Sequence, residues 1–267
     1  MGKKVIYLKS PEDVEVIKQN GIILGKAQAE VAKKIAPGIT TRALDKVAEE
    51  FILDNGGKPS FKNYNGFPAT LCISVNEVVV HGIPGGRELK DGDVVSIDCG
   101  VYKGGYHADS AYTYMVGEVK SEVVELLRVT KQSLYEGIKQ VKPGNRIGDV
   151  SYAIQSLTEG HNYGVVRELV GHGVGKFLHE APEVPNFGKR GNGPRLQAGM
   201  VIAIEPMITL GKRFVVQEND NWTIRTEDRK AAAHFEHTVL VSKTGYEILT
   251  TFEFIEEVLE QNNLVVL

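Results

Sequence analysis

Apolar positions follow helical spacing in two segments near the start of the 267-residue chain. Ser10 is a suitable N-cap, and the pattern after it predicts a helix that runs towards Ala36. A second helix follows Thr40 or Thr41 and ends at Gly56. A Pro-Gly pair separates the two predicted helices, so the chain opens with a helix pair.

The same order returns in the second half. Ser121 is the predicted cap of a third helix, which Pro143-Gly144 stops, and a fourth helix runs from Ile147 to Gly160. Because helix, Pro-Gly and helix occur twice, the chain is predicted to contain two related halves, at about residues 1–120 and 121–267.

Strand patterns follow each helix pair. They cover residues 70–81, 93–101 and 107–116 in the first half, and residues 199–210, a short stretch near Trp222 and residues 232–241 in the second. No Ser-rich or Pro-rich linker separates the halves. The pattern therefore predicts one α+β domain over residues 1–267, whose strands share one sheet that the helix pairs cover.

The composition of the chain excludes several classes of protein but does not identify a function. Apolar residues make up 42% and charged residues 24%, and the net charge of −3 offers no basic surplus for nucleic acid or an anionic membrane. Cys72 and Cys99 cannot build a disulfide framework, which favours a reducing compartment. No apolar run is long enough for a signal peptide or a membrane span. A cytoplasmic protein with no membrane partner and no specific nucleic-acid partner is expected.

Three carboxylates interrupt apolar strand patterns. Asp98 follows a run of apolar residues, Glu205 follows another, and Glu236 lies between two. One such acid is usually an edge-strand charge, but burying three without partners is costly. A bound cation would remove the cost for all three.

A predicted hairpin adds a fourth acid. If Lys103-Gly104 is its two-residue loop, Asp98 and Asp109 lie directly opposite one another, with Cβ atoms about 5 Å apart. Two facing carboxylates destabilise a hairpin unless a cation lies between them. This register is a prediction that depends on the position of the turn.

His172, flanked by glycines, adds an imidazole to the four carboxylates, although alone it reads as a loop histidine. Two divalent cations would neutralise four carboxylates, and acids that bridge them are natural spacers in two-metal sites. An oxygen-rich ligand set without thiolate is typical of a catalytic site for cobalt, manganese, iron(II) or zinc.

These residues resemble the ligand set of the pita-bread metallopeptidases, and several stretches are similar to type I methionine aminopeptidases of the minimal bacterial form. The similar stretches are Asn76-Glu77, His81-Gly82-Ile83-Pro84, Ser96-Ile97-Asp98-Cys99-Gly100, Gly171-His172-Gly173-Val174-Gly175, His179-Glu180-Ala181-Pro182, Ile204-Glu205-Pro206, Trp222 and Phe235-Glu236-His237-Thr238. Together they cover essentially the whole chain. The resemblance implies a pita-bread fold, with two related halves around a curved antiparallel sheet.

The resemblance also implies a role for each residue. Asp98 would chelate one metal, Asp109 and Glu236 would bridge two, and His172 and Glu205 would complete the other. Glu205 would also be the general base, with His81 and His179 as catalytic, substrate-contacting histidines. The side chains that match the methionine pocket are Tyr64, Phe67, Cys72 and Trp222. Without the ligand set, these histidines and pocket residues would read as ordinary loop and core positions.

The implied activity is removal of the initiator methionine from nascent proteins when the second residue is small. It requires two divalent ions per chain and implies a transient ribosome contact, and a monomer is expected. The chain's own start, Met1-Gly2, would fit that specificity.

Three positions depart from the family pattern, and they concern the detail of the pocket. His234 stands where the family commonly has Gln, Leu178 where it often has Phe, and Phe61 is an unexpected aromatic.

Two alternatives stay open. One is an X-Pro aminopeptidase or prolidase, although these usually carry a large N-terminal domain for which the early helices leave no room. The other is a pita-bread interaction protein without catalysis, although such proteins have lost ligands that are present here.

Overall fold

The computed structural model describes residues 5–262 and 264–267, and Met1-Gly2 lies outside them. Within the described residues the helices are α1 (Pro11–Ala32), α2 (Thr41–Asp54), α3 (Ser121–Ile138), α4 (Ile147–Gly160) and α5 (Glu253–Gln261), with a short 3-10 turn at Tyr64–Gly66. None of these helices is both long and apolar enough to cross a bilayer.

Local capping explains where α1 begins. The Ser10 hydroxyl accepts the Asp13 N–H at 3.2 Å, and the Asp13 carboxylate accepts the Ser10 N–H at 3.0 Å. The helix ends at Ala32 and not near Ala36, because the N–H groups of the next residues turn back to carbonyls three positions earlier, as Ile35 N does to Ala32 O at 3.2 Å.

The second helix pair differs from its prediction at one end. Ser121 is the first residue of α3 and Lys120 is the cap position, without a side-chain hydrogen bond, so the predicted Ser121 cap is wrong. The bounds of α4 agree with the prediction. Helix α5 was not predicted; its buried Ile255, Val258 and Leu259 form an apolar stripe, and the helix packs on α1.

The described residues also contain fifteen strands, of which β4 and β5 are ten residues long and the others two to five. Those of the first half are β1 (Lys58–Pro59), β2 (Leu71–Val75), β3 (Val78–Val80), β4 (Val94–Lys103) and β5 (Tyr106–Met115). Those of the second half are β6 (Gly164–Val165), β7 (Gly171–Gly173), β8 (Glu180–Val184), β9 (Val201–Ile204), β10 (Met207–Thr209), β11 (Val215–Gln217), β12 (Ile224–Thr226), β13 (Ala232–His234), β14 (His237–Val241) and β15 (Tyr246–Ile248). Trp222 lies between β11 and β12 and not in a strand of its own.

All strand pairs are antiparallel, but the hydrogen-bond ladders divide the strands into four sheets and not one. One contains β1, β4, β2 and β5, and another contains β15, β14, β9, β7 and β8. Two three-stranded sheets are β13-β10-β6 and β11-β12-β3. Helix α1 packs on β4 and β5, and α3 packs on β13, β10 and β9, so the helices cover the strands of both halves as expected.

The register of the β4–β5 hairpin corrects the sequence prediction. Lys103 pairs with Tyr106, which makes Gly104-Gly105 the loop, and Asp98 pairs with Ala111 while Asp109 pairs with Gly100. Both glycines have positive φ, at 62° and 87°, which favours them as the two-residue turn. The two acids still share a face because the shift of the turn by one residue moves the pairing by two. They are diagonal neighbours, about 7–8 Å apart at Cα, and not directly opposed.

The long strands predicted at 199–210 and 232–241 are each broken, the first at Glu205 and the second at Glu236. Ile204 pairs with His237 on one side of the break, and Met207 pairs with His234 on the other. The register is the same on both sides, so it places Glu205 opposite Glu236 at the interruption.

Candidate metal centre and active site

Three donor side chains from three parts of the fold meet at one point. The ligand atoms of Asp109, His172 and Glu236 all lie within 4.8 Å of one another. Asp109 comes from β5, His172 from β7, and Glu236 from the break between β13 and β14. This spacing is close enough for one ion to bind all three.

Two further acids complete the predicted ligand set. Glu205 Oε1 lies 3.8 Å from His172 Nε2, which is 3.9 Å from Asp109 Oδ2. Asp98 lines the same cavity, of about 240 Å³. Every site residue predicted from the sequence lines this cavity: Asp98, Asp109, His172, Glu205, Glu236, His81, His179, Tyr64, Phe67, Cys72 and Trp222.

Hydrogen bonds from β5 hold the second half in place beside the acids. The Glu236 N–H donates to Ala111 O at 2.9 Å, and the Ser110 hydroxyl donates to Glu236 O at 2.7 Å. The Thr238 hydroxyl accepts the Asp109 N–H at 3.1 Å and donates to Asp109 O at 2.7 Å. These contacts fix the backbone on both sides of Glu236 against the strand that carries Asp109.

The tautomer of His172 follows from its neighbour. Its Nδ1 lies 2.9 Å from the Gly173 carbonyl, and because a carbonyl only accepts, Nδ1 must carry the proton. Nε2 then has a free lone pair and faces the acids. A backbone carbonyl that orients the ring in this way is common for histidines that bind metals.

The acids raise one another's pKa. Burial and then the neighbouring Asp109 carboxyl hold the pKa of Asp98 well above its usual value, and the pKa values of Asp109 and Glu236 are also well above theirs, with burial as the largest cause. Burial raises the pKa of Glu205 to about 8, and burial lowers the pKa of His172 to about 3. Without a cation, the cluster therefore disfavours charge on every member.

Divalent cations fit this donor set. Three carboxylate oxygens are buried without a hydrogen-bond partner in the described chain: Asp98 Oδ1, Asp109 Oδ1 and Glu236 Oε1. Buried polar atoms are normally satisfied, so three orphans in one cluster need an explanation. Hard cations bound by carboxylate oxygens and one imidazole would supply the missing partners.

The two predicted catalytic histidines, His81 and His179, both line the cavity. His179 is exposed, and its Nδ1 shares a hydrogen bond of 2.8 Å with the Tyr64 hydroxyl. That bond leaves Nε2 of His179 available to a substrate. His81 adopts φ of 59°, which is uncommon for a residue other than glycine and places a strained backbone at the site.

An apolar pocket adjoins the metal centre. Phe67 and Trp222 meet edge to face, with ring centroids 5.2 Å apart. Cys72 pairs with Asp98 across β2 and β4, which explains why it lies beside the acids. The apolar cluster here consists of Phe61, Phe67, Ala69, Cys72 and Leu178, with Tyr64, Ile83 and Trp222 packed against it.

Phe61 and Leu178 were noted in the sequence only as departures, yet both are pocket walls. Leu178 is 2% exposed, whereas Phe177 is 63% exposed and points away from the apolar cluster. A run of two apolar residues beside a predicted catalytic histidine does not show which one faces inward, because the loop has no regular period.

His234, the third departure from the family pattern, lies against Glu205, one of the candidate metal ligands. Its side chain is 1% exposed, and Nε2 lies 3.4 Å from Glu205 Oε2 without the geometry of a hydrogen bond. Burial lowers the pKa of His234 to about 3, so it is neutral at physiological pH.

Comparison with known proteins places this centre in a family. Residues 15–243 match Metallopeptidase family M24. The chain is 50% identical over 246 residues to methionine aminopeptidase 1 of Bacillus subtilis, and these residues are 92% of this chain and 99% of that protein. The Clostridium perfringens methionine aminopeptidase is similar to the same degree, at 50% identity over 92% of this chain and 99% of its own.

Solved structures agree. The crystal structure of methionine aminopeptidase from Rickettsia prowazekii superposes with a TM-score of 0.91 at 38% identity, covering 92% of this chain and 100% of that one. The Thermotoga maritima methionine aminopeptidase gives a TM-score of 0.91 at 44% identity, with the same coverage. The fold class expected from the sequence, an α+β fold of the pita-bread type, is thus confirmed, although the strands form four antiparallel sheets and not the single sheet expected.

Prolidases are more distant. The Pyrococcus horikoshii prolidase shares the fold at a TM-score of 0.75 and 24% identity, and this chain covers 63% of it. The much higher identity and full-length coverage of the methionine aminopeptidases decide between the two groups. The chain therefore belongs to Metallopeptidase family M24, and within that family to the methionine aminopeptidases.

Proposed function

We propose that this chain removes the N-terminal methionine of nascent polypeptides whose second residue is small. The observation that carries the proposal is the buried cluster of four carboxylates and one imidazole, with three orphaned oxygens, directly beside an apolar pocket. A metallo-aminopeptidase needs these two features together, since one supplies the chemistry and the other selects the side chain.

Two divalent cations would be held by Asp98, Asp109, His172, Glu205 and Glu236. When bound, such ions lower the pKa of a shared water towards about 7 and polarise a carbonyl oxygen. Cobalt, manganese, iron(II) and zinc all suit a ligand set of oxygens and one imidazole nitrogen.

The chain's own residues would move and hold the protons. Glu205 would take the proton of the attacking water, since its carboxylate lines the cavity with Oε1 3.8 Å from His172 Nε2. His179 would donate from Nε2 to the oxyanion, because its Nδ1 is already engaged by Tyr64. His81, which also lines the cavity, would contact the scissile nitrogen.

Specificity would come from the apolar pocket. Phe67, Trp222 and Cys72 offer aromatic walls and a sulfur, which suit the unbranched thioether of methionine.

Residues 1–267 would form a single catalytic domain with related halves at about 1–120 and 121–267. It would act as a cytoplasmic monomer that meets nascent chains during a transient ribosome contact.

A peptide assay on metal-free protein tests the proposal. Cobalt, manganese, iron(II) and zinc are added separately, and Met-Gly-Met is compared with an X-Pro peptide of equal length. We expect metal-dependent release of methionine and no cleavage of the X-Pro peptide. Preferential cleavage of X-Pro would assign a prolidase-like activity, and no cleavage with any metal would favour an interaction protein of the same fold.

A further inference from the structure

A buried ion pair joins Lys9 to Glu180, the residue after His179, and neither member lines the cavity. Lys9 Nζ and Glu180 Oε2 are 2.5 Å apart, and their side chains are only 4% and 1% exposed. Burying two charges costs desolvation energy that a single ion pair seldom outweighs. A pair in such a place is therefore poorly explained by stability alone.

The same carboxylate closes the loop that carries His179. Glu180 Oε1 accepts the Phe177 N–H at 3.1 Å, and Phe177 O accepts the Gly175 N–H at 3.2 Å. A Cβ at Gly175 would lie 2.4 Å from Lys9 Cε and 2.5 Å from Glu180 Oε1, so a larger residue here would have to displace the two side chains of the pair. Loop and ion pair are thus built as one unit.

Lys9 is anchored independently of this loop. Its N–H donates to Gly199 O at 2.7 Å, and its Nζ also donates to Tyr7 O at 3.1 Å. Ile6 bridges to Ala181 on the far side of the loop. The segment of residues 5–9 therefore ties residues 174–181 to the strand region at 199.

We propose that Lys9 and Glu180 are positioning residues that fix His179 for catalysis. Glu180 adjoins His179 in the chain, and the His179 ring packs on that of the metal-ligand candidate His172, with centroids 4.2 Å apart. Neither member of the pair lines the cavity, so on this proposal both act through His179 and not on the substrate itself. This inference rests on the proposed function, since it assigns His179 to the oxyanion.

A kinetic cycle with His179→Ala tests the proposal. We expect Lys9→Met to lower kcat roughly tenfold or more, because small displacements of a catalytic group are costly, while KM changes less than about twofold. In the His179→Ala background, Lys9→Met should cause no further fall in kcat. An equal fall in both backgrounds would overturn the proposal, because the pair would then act independently of His179.

Two further variants separate positioning from loss of folding. Leu259→Ala, in α5 and away from the cavity, should lower the melting temperature without changing kcat. In the double variant Lys9→Met with Glu180→Gln no unpaired charge is buried, and Gln can still accept the Phe177 N–H. It should recover the melting temperature of the wild type but not its kcat. Recovery of kcat as well would contradict the proposal.

Hydrogen–deuterium exchange provides a readout that needs no activity. Backbone exchange in residues 174–180, measured by mass spectrometry on the full chain, should rise at least about threefold in Lys9→Met and stay unchanged in Leu259→Ala. If the wild type lacks aminopeptidase activity, the proposed function fails while this result still tests the link between pair and loop. An active wild type with unchanged exchange in Lys9→Met would refute the positioning role.

Discussion

The two halves of the chain supply their carboxylates in different ways. Asp98 and Asp109 come from β4 and β5, two long strands with an unbroken ladder, and they sit diagonally on one face. Glu205 and Glu236 come from the points where two paired strands are interrupted, and the register places them directly opposite one another. In a regular strand, a residue's position decides which face of the sheet its side chain lies on. At a strand break this alternation is interrupted, so the side chain can point in another direction.

This difference follows from the residues at the break. Pro206 follows Glu205 and has no N–H to give to a ladder, so pairing cannot continue there. Two facing carboxylates also repel, which disfavours a tight pair at that position. On this interpretation, Asp98 and Asp109 of the first half are ligands that their strands hold in fixed positions. Glu205 of the second half lies at a strand break and is the ligand that is free to accept a proton.

The largest effect is expected when the two halves are compared through one acid from each, with the variants Glu205→Gln and Asp98→Asn. Glu205→Gln removes both a ligand and the proposed proton acceptor, so we expect kcat to fall on the order of 10³-fold or more, and further than in Asp98→Asn. Steady-state kinetics at saturating metal measures both, and circular dichroism checks the fold. A Glu205→Gln variant that kept a tenth of wild-type activity would exclude the general-base role.

His179→Ala should give the next largest effect. The hydrogen bond from His179 strengthens as the oxyanion forms, so its loss should lower kcat by about 10²-fold to 10³-fold and leave KM nearly unchanged. Kinetics with a Met-Gly-Met peptide separates the two parameters. An unchanged kcat with a large rise in KM would instead make His179 a residue that binds the substrate in its ground state.

Metal affinity should depend on pH because the metal-free acids hold protons. Glu205 has a pKa of about 8, and the other three carboxylates have pKa values well above their usual range, so ions must displace protons. Affinity should rise with pH from about 6.5 to 8, by about tenfold per pH unit for each proton displaced. Calorimetry in buffers of different ionisation enthalpy counts these protons, and a count of zero would contradict the prediction.

The same protons set the stability of the metal-free protein. Between pH 6.5 and 8 the folded cluster binds more protons than the unfolded chain, so its stability should fall as pH rises through this window. Burial lowers the pKa of folded His172 to about 3, so between about pH 3 and 6.5 this residue is charged mainly in the unfolded chain. In that range its contribution has the opposite sign, because stability rises with pH. Melting temperatures of metal-free protein at pH 6.5 and 8 provide the check.

The candidate ligands could be identified from the sequence, but their geometry could not. Carboxylates within apolar runs stand out because burial is costly, so Asp98, Glu205 and Glu236 could be found without a structure. The β4–β5 register could not, because Lys103-Gly104 and Gly104-Gly105 are both acceptable turns and differ by one residue. The strand breaks were missed since apolar runs continue on either side of them.

Contacts between the halves give a smaller, purely structural test. Thr238→Val removes the hydroxyl that accepts the Asp109 N–H and donates to Asp109 O, and leaves that buried N–H unsatisfied. We expect a loss of about 1–3 kcal/mol in the free energy of unfolding. Thr70→Val is the matched control, because the buried Thr70 hydroxyl has no partner in the described chain and should cost little. Equal losses in the two variants would contradict the role given to Thr238.

The smallest effect is expected at His234, the departure closest to the break. Its buried Nε2 lacks a hydrogen bond, so His234→Gln removes no existing bond from that atom, and a Gln amide could donate to Glu205. We expect the free energy of unfolding to rise by up to about 1 kcal/mol, and kcat/KM to change by less than about tenfold. Urea unfolding and peptide kinetics measure the two quantities.

His234→Leu completes that comparison, since it removes the polar group and cannot donate to Glu205. If Glu205 is held mainly by its place at the strand break, kcat/KM should change by less than about tenfold in both variants. If either variant lost more than about a hundredfold in kcat/KM while it stayed folded, Glu205 would depend on His234. Glu205 would then be held in place by the His234 side chain as well as by the strand break.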